Sequence, residues 1–218
     1  MKKKILFMLS LLMVLCIVGI PVATQAATGR DVTKSFKDTK KVVKLVNEIN
    51  DWSGYQYFYL LKSKEKKTVT LSDQNVLNIA ALNYYEPDLG EYISATDKGI
   101  LSRTFLLFGK KPGFGSLNTY KEEEATESMN SNKEYICKLK NGGLATIYGD
   151  WGTASPKMKL LSITKVGNNS YQVKVKNSLF DAEANKAKDY GISTITIKKS
   201  SESKYGYIIT GIKLQMTR

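Results

Sequence analysis

Apolar residues recur at helical spacing through the first half of the chain and at alternate positions through the last third. In "SFKDTKKVVKLVNEIN", Phe36, Val42, Val43, Leu45, Val46 and Ile49 form one broad stripe, and Lys37, Lys40, Lys41 and Lys44 take the other side. That is the pattern of an amphipathic helix with one buried face. Ser53-Gly54 breaks the element, and the aromatic run "YQYFYLL" behind it reads either as a strand or as a buried turn. After the polar stretch "KSKEKKT", a second helix opens with Ser72 as N-cap and Asp73 in its first turn. Val76, Leu77, Ile79, Ala80 and Leu82 supply its apolar face, and Pro87 ends it. A third helix starts at the cap residue Thr96 and carries Ile100, Leu101, Phe105, Leu106 and Phe108.

The third helix runs into "GKKPGFG", whose glycines and lysines invite comparison with a phosphate-cradling loop. Such a loop needs a strand before the glycines and a helix N-terminus after them. Here the order is reversed. Gly109 follows the last periodic residue, Lys110 and Lys111 suit the negative end of a helix dipole, and Pro112 forbids continuation. The G-x-x-x-x-G-K-[ST] spacing is also missing, because Gly115 is followed by Ser116 and Leu117. This loop stops a helix.

From residue 134 the period becomes two. "EYICKLK" and "LATIYG" are joined by "NGG", "KMKLLSITKV" and "YQVKVKN" by "GNN", and "ISTITIKK" and "YGYIITGIKLQM" by "SSESK". "SLFDAEANKAKDYG" reads as a polar connection between the second and third of these pairs. Consecutive hairpins predict an antiparallel sheet with one buried face and one wet face rich in lysine. Lys174 and Lys176 alternate with Val173 and Val175, and Lys157 and Lys159 alternate likewise on the preceding strand. A tight turn on Asn168-Asn169 puts all four lysines on one face, whereas one more loop residue sends one pair to the other side. Helices first and antiparallel strands afterwards predict an α+β fold, with the helices packed on one face of the sheet. The chain divides into a leader (1–26), a helix with its aromatic segment (27–67) and an α+β domain (68–218).

The leader reading rests on Lys2, Lys3 and Lys4, the apolar run Ile5 to Ile20, and "VATQA" with small residues at Thr24 and Ala26. These are the n-region, h-region and cleavage site of a signal peptide cut after Ala26. Cys16 offers a lipoprotein as the second reading, but Leu15 stands where a lipobox wants a small residue, and "IVGIPV" prolongs the apolar run. Secretion, or association with the cell surface, is the expectation. Removing the leader takes away Lys2, Lys3 and Lys4, so the net charge falls from +13 to +10. Cys137 is then the single cysteine, which excludes an intramolecular disulfide and leaves stability to the core. Together with the short lysine-rich leader, that points to a bacterial exported protein. The positive charge favours anionic partners, namely wall polymer, a membrane surface or an acidic protein.

The residue inventory excludes several chemistries. No histidine is present, so Ser-His and Cys-His nucleophiles and the commonest metal ligand are missing. Cys137 falls at an inward strand position and reads as a buried small hydrophobe. S-x-x-K occurs at Ser63/Lys66, Ser162/Lys165 and Ser201/Lys204, none of them at the start of a helix, where the pair would share a face. Glu122, Glu123, Glu124 and Glu127 read as a solvated helix face or loop. Asp181, Glu183 and Asn185 match the opening of a calcium loop, but Lys186 and Ile192 replace its glycine and bidentate glutamate. No cofactor, metal or nucleic-acid partner is expected. Trp52, Tyr55, Tyr57, Phe58 and Tyr59, with Tyr148 and Trp151, are either core or contact residues, and Trp151 in "GDWGTASP" is the best placed for contact.

In its element order, its helix ending "LFGKK" and its closing "SKYGYIITGIKL", the chain resembles the exported cystatin-like or nuclear-transport-factor-like domains of Gram-positive bacteria over roughly residues 68–216. The resemblance implies helices lying in the concavity of a curved sheet and a non-catalytic binding or scaffold role. It carries over no residue-level site. The expected function is therefore an exported, non-enzymatic binding module at the cell envelope, with Lys157, Lys159, Lys174, Lys176 and Trp151 as candidate ligand contacts. The alternatives are a histidine-independent enzyme using Asp150 and the Glu122–Glu124 acids, or a structural domain that docks a protein partner.

Overall fold

The computed structural model describes residues 29–49, 64–82, 84–86, 88–89, 95–147, 154–181 and 183–217. The expected leader, the aromatic run after Ser53-Gly54, Tyr148, Asp150 and Trp151 lie outside the described residues. The fold is α+β. In chain order it has β1 (Arg30–Asp31), α1 (Thr39–Asn47), β2 (Lys66–Val69), α2 (Asp73–Ala81), α3 (Asp97–Phe108), β3 (Thr119–Tyr120), α4 (Ala125–Asn132), β4 (Ile136–Leu139) and β5 (Leu144–Thr146). The long strands β6 (Ala154–Gly167), β7 (Ser170–Asp181), β8 (Lys186–Lys199) and β9 (Tyr207–Met216) follow.

Helix signals in the sequence act as capping chemistry dictates. Ser72 Oγ accepts from the Asn75 N–H, and Thr96 Oγ1 accepts from the Gly99 N–H at 2.9 Å. Gly109 takes the left-handed conformation at φ 65°, and its N–H donates to the Phe105 carbonyl. Lys110 turns away from its own helix to donate to the Leu71 carbonyl at 2.7 Å. Phe36 precedes α1 rather than belonging to it, and meets Tyr171 edge-on with ring centroids 4.9 Å apart. α2 stops at Ala81, well before Pro87. Its buried C-terminal end is satisfied by Arg103, whose Nε donates to the Ala80 carbonyl at 2.7 Å.

β6 to β9 form successive antiparallel hairpins inside a six-stranded sheet ordered β1-β6-β7-β8-β9-β2. Ile163, Val173, Val175, Ile195, Ile197, Ile209, Ile212 and Leu214 are buried, and they form one hydrophobic cluster with residues of α1, α2 and α3. From α1 come Val42, Leu45 and Val46, from α2 Val76, Ile79 and Ala80, and from α3 Leu107 and Phe108.

Three expectations need correction. The hairpin at 134–148 does not join the large sheet. It forms β4 and β5 of a separate three-stranded sheet with β3, which runs parallel to β4. The reason is burial on both sides: Cys137, Leu139 and Ala145 pack with Ala125 and Met129 of α4, and Ile136 and Leu144 with Leu77, Ala81 and Ile100. The polar stretch before α2 is also strand, since β2 pairs with β9 and lies across the boundary expected at 67/68. A terminal strand has to bury little, and only Val69 of β2 is buried. Finally, the polar connection at 178–191 is largely strand. β7 and β8 run on to Asp181 and Lys186, where Lys186 to Asp189 are exposed and Ser178 to Phe180 only half-buried, so no inward apolar row marks them.

A test of the α3 stop follows from its geometry. A Cβ at residue 109 would sit in the left-handed region and 3.0 Å from Ile208 Cδ1. Gly109→Ala should therefore destabilise the protein by about 1 kcal/mol or more in urea unfolding. Gly109→Asn, which tolerates that conformation, should cost less.

Candidate functional site

The four lysines singled out by alternation do share a face, by an indirect route. Asn168 and Asn169 make a tight connection, with Asn169 at φ 59° and Gly167 opposite Ser170. β6 then inserts one extra residue between Lys165 and Gly167 and another between Leu160 and Ser162. Each bulge shifts the pairing by one, which alone would exchange the two faces. Two bulges restore them. Lys159 consequently stands opposite Lys176, Lys157 opposite Ser178, and Ser162 opposite Lys174.

This face is basic and poorly neutralised. Lys176 is held at 2.6 Å by Asp189 of β8, while Lys157, Lys159 and Lys174 make no ion pair among the described residues. Lys157 lies over the Phe180 ring at 6.0 Å, which covers part of that apolar surface. Toward the far edge, Lys213 of β9 stands opposite Thr194, and Lys66 of β2 opposite Gln215. Alternation does not point to either, because "KKTV" carries the charge of a linker and Lys213 is the lone lysine of its strand. Trp151, the fifth candidate, lies outside the described residues.

The other candidates occupy structural positions. Cys137 is buried, and burial pushes its thiol up to about 11, so the thiolate is scarce at neutral pH. Glu123 and Glu124 are exposed and pair with Lys121, and Glu122 accepts from Asn141. Asp181 closes the β7–β8 turn by accepting the Glu183 and Ala184 N–H groups at 3.0 and 3.1 Å. Of the serine–lysine pairs, Ser162/Lys165 lies within β6 and Ser201/Lys204 in the β8–β9 turn.

Two carboxylates with richer surroundings went unremarked in the sequence, because their partners are remote along the chain. Glu48 takes Arg103 Nη1 at 3.1 Å and the Tyr205 hydroxyl on its other oxygen. Glu86 accepts from the Tyr84 hydroxyl at 3.0 Å, the Thr96 N–H at 3.0 Å and the Thr96 hydroxyl. A Cβ on residue 99 would fall 1.9 Å from Glu86 Oε1, so Gly99 is what lets this carboxylate reach the first turn of α3. Two clefts of about 450 and 490 Å3 adjoin the network and share Lys204 in their walls. Burial works against the ionised form of Glu86, but the bonds from Thr96 and Tyr84 outweigh it and hold the carboxyl below its ordinary 4.5. Tyr205 and Tyr84 are raised by burial and by those same carboxylates. A charged cap and two reluctant phenols tie elements together, and they offer no proton donor or acceptor poised near neutrality. Comparison with protein-family models, with characterised proteins and with solved structures finds no match to the chain.

The Glu86 cap makes a pH prediction. Its lowered folded value means that the stabilisation is complete above pH 4.5 and is lost as pH falls through that lower value. Parent protein should therefore lose more stability than Glu86→Gln when urea unfolding is followed from neutral pH to about pH 3. Parallel curves for the two would deny Glu86 this role.

Proposed function

We propose that the protein is exported and acts at the bacterial cell envelope as a non-enzymatic module that binds an anionic surface through the lysine face of its large sheet. The supporting observation is the gathering of Lys157, Lys159, Lys174 and Lys176 on one face with Asp189 as their one ion-pair partner among the described residues. Like charges set side by side repel, and an anionic ligand relieves that repulsion. A non-catalytic reading is supported by Glu48 and Glu86, whose acceptors are spent on joining helix ends to the β8–β9 turn and to α3. In this proposal the helices lie against a curved sheet, as in the cystatin-like and nuclear-transport-factor-like domains. The hydrophobic cluster shared by α1, α2, α3 and β6–β9 supports that arrangement.

Binding to anionic vesicles or wall polymer should be measurable at low salt and should weaken steeply toward physiological ionic strength, where charges are screened beyond about 8 Å. Replacing Lys157, Lys159, Lys174 and Lys176 with glutamine should abolish that binding and leave the melting temperature equal or higher. Asp189→Asn should instead strengthen it, by freeing Lys176. A quadruple variant that binds like the parent would remove the basis of this reading.

A further inference from the structure

The lysine face does not end at β7. Strand register sets out two rows of side chains across the whole sheet. One runs Lys159, Lys176, Ile192, Gln215 and Lys66, and the next runs Ser162, Lys174, Thr194, Lys213 and Thr68. Adjacent strands are about 4.8 Å apart, so β6 and β2 stand roughly 19 Å apart. Basic groups therefore sit at both ends of each row or near them, with hydroxyl and amide groups between. At the β2 end the face is concave: a groove of about 290 Å3 is lined by Lys66, Thr68, Ile192, Thr194, Lys213 and Gln215. Neither Lys66 nor Lys213 makes an ion pair among the described residues.

We propose that this groove is the second half of a track that takes a linear polyanion, a phosphodiester-type polymer lying across the strands. The inference rests on the envelope-binding reading and narrows its ligand from an anionic surface to a chain. Its support is the spacing and the shape. Lys159, Lys174 and Lys176 are about 5–7 Å apart at their Cα atoms, and Lys213 lies two strands, roughly 10 Å, beyond Lys174 across Thr194, so an extended polymer meets a basic cluster at each end of the track. Thr68, Thr194 and Gln215 add donors for phosphoryl oxygens or for hydroxyls between them. A vesicle can satisfy the four clustered lysines of β6 and β7 with its own lipids, whereas an extended polymer has to continue along the sheet to the β2 end. Lys66 and Lys213 should therefore matter for a polymer and hardly at all for a vesicle.

The test uses synthetic poly(glycerol phosphate) oligomers of roughly two, four and eight repeats, phosphatidylglycerol vesicles and a single-stranded oligonucleotide, each titrated against salt. Parent protein should gain affinity steeply with oligomer length until the oligomer spans about 19 Å, then level off. The Lys66→Gln/Lys213→Gln variant should lose the gain between the short and long oligomers, roughly tenfold at low salt. Its slope of log affinity against log salt should fall from about −4 to about −3. Its vesicle binding should match the parent's. Equal polymer binding by parent and double variant would overturn the track, and the envelope-binding reading would survive if the quadruple variant still lost binding. Equal losses on polymer and vesicles would also overturn it, and tighter binding of the oligonucleotide would replace it with a nucleic-acid site. A parent that binds none of the probes would defeat both readings. Both substituted lysines are exposed, so unchanged melting temperatures should show that the variants fold.

Discussion

The parity of strand pairing governs both faces of the large sheet. β7 alternates Val173 and Val175 inward with Lys174 and Lys176 outward, and β6 has to present its own alternation in phase. A single bulge in β6 would turn Lys157 and Lys159 into the core and push Met158 and Leu160 into water. The second bulge prevents this, at the cost of leaving Leu161 partly exposed at the irregularity. Core burial and surface charge are thus one constraint, satisfied together or not at all. Selection on the core alone would hold the lysines on their face.

Helices reach the sheet through a different kind of tie. Arg103, in the middle of α3, donates to the Ala80 carbonyl at the end of α2 and to both the carboxylate and the carbonyl of Glu48 just beyond α1. Tyr205 then joins the same carboxylate from the sheet side, and Ser203 in the same turn donates to the Leu106 carbonyl of α3 at 2.9 Å. Planar guanidinium geometry suits such a junction, because one side chain can serve several acceptors in fixed directions. Helix ends that would otherwise be open are closed here without capping residues of their own.

How much of this was legible in the sequence depends on the range of the interaction. Ser72, Thr96 and Gly109 announce their roles because a cap and its partner lie within one turn. Alternation in β6 to β9 is legible for the same reason, but the shared lysine face rests also on two bulges in β6 that nothing in the letters announces. The second sheet was not, since whether "EYICKLK" faces water is decided by α4 and α2 and not by its own letters. The Glu48–Arg103–Tyr205 junction was also hidden, as its members are 55 and 157 positions apart. At the site, Lys66 is legible only after β2 is known to pair with β9, because "KKTV" has the charge of a linker, and Lys213 only after β9 is known to pair with β8.

A sheet of this size has two margins, and margins are where one molecule can zip onto another. On one side β1 is only two residues long and covers β6 at Thr164 and Lys165, so among the described residues the rest of that margin is β6 itself, which carries Lys157 and Lys159. β2 is four residues long and begins with adjacent lysines, Lys66 and Lys67, both exposed. An incoming strand would have to bring its backbone alongside two cations and strip water from them, with little length over which to recover that loss. Lys66 therefore stands both on this guarded margin and in the wall of the groove. Any change that removed the charge of Lys66 and Lys67 would lift that guard, and the protein would then be expected to associate side by side more readily.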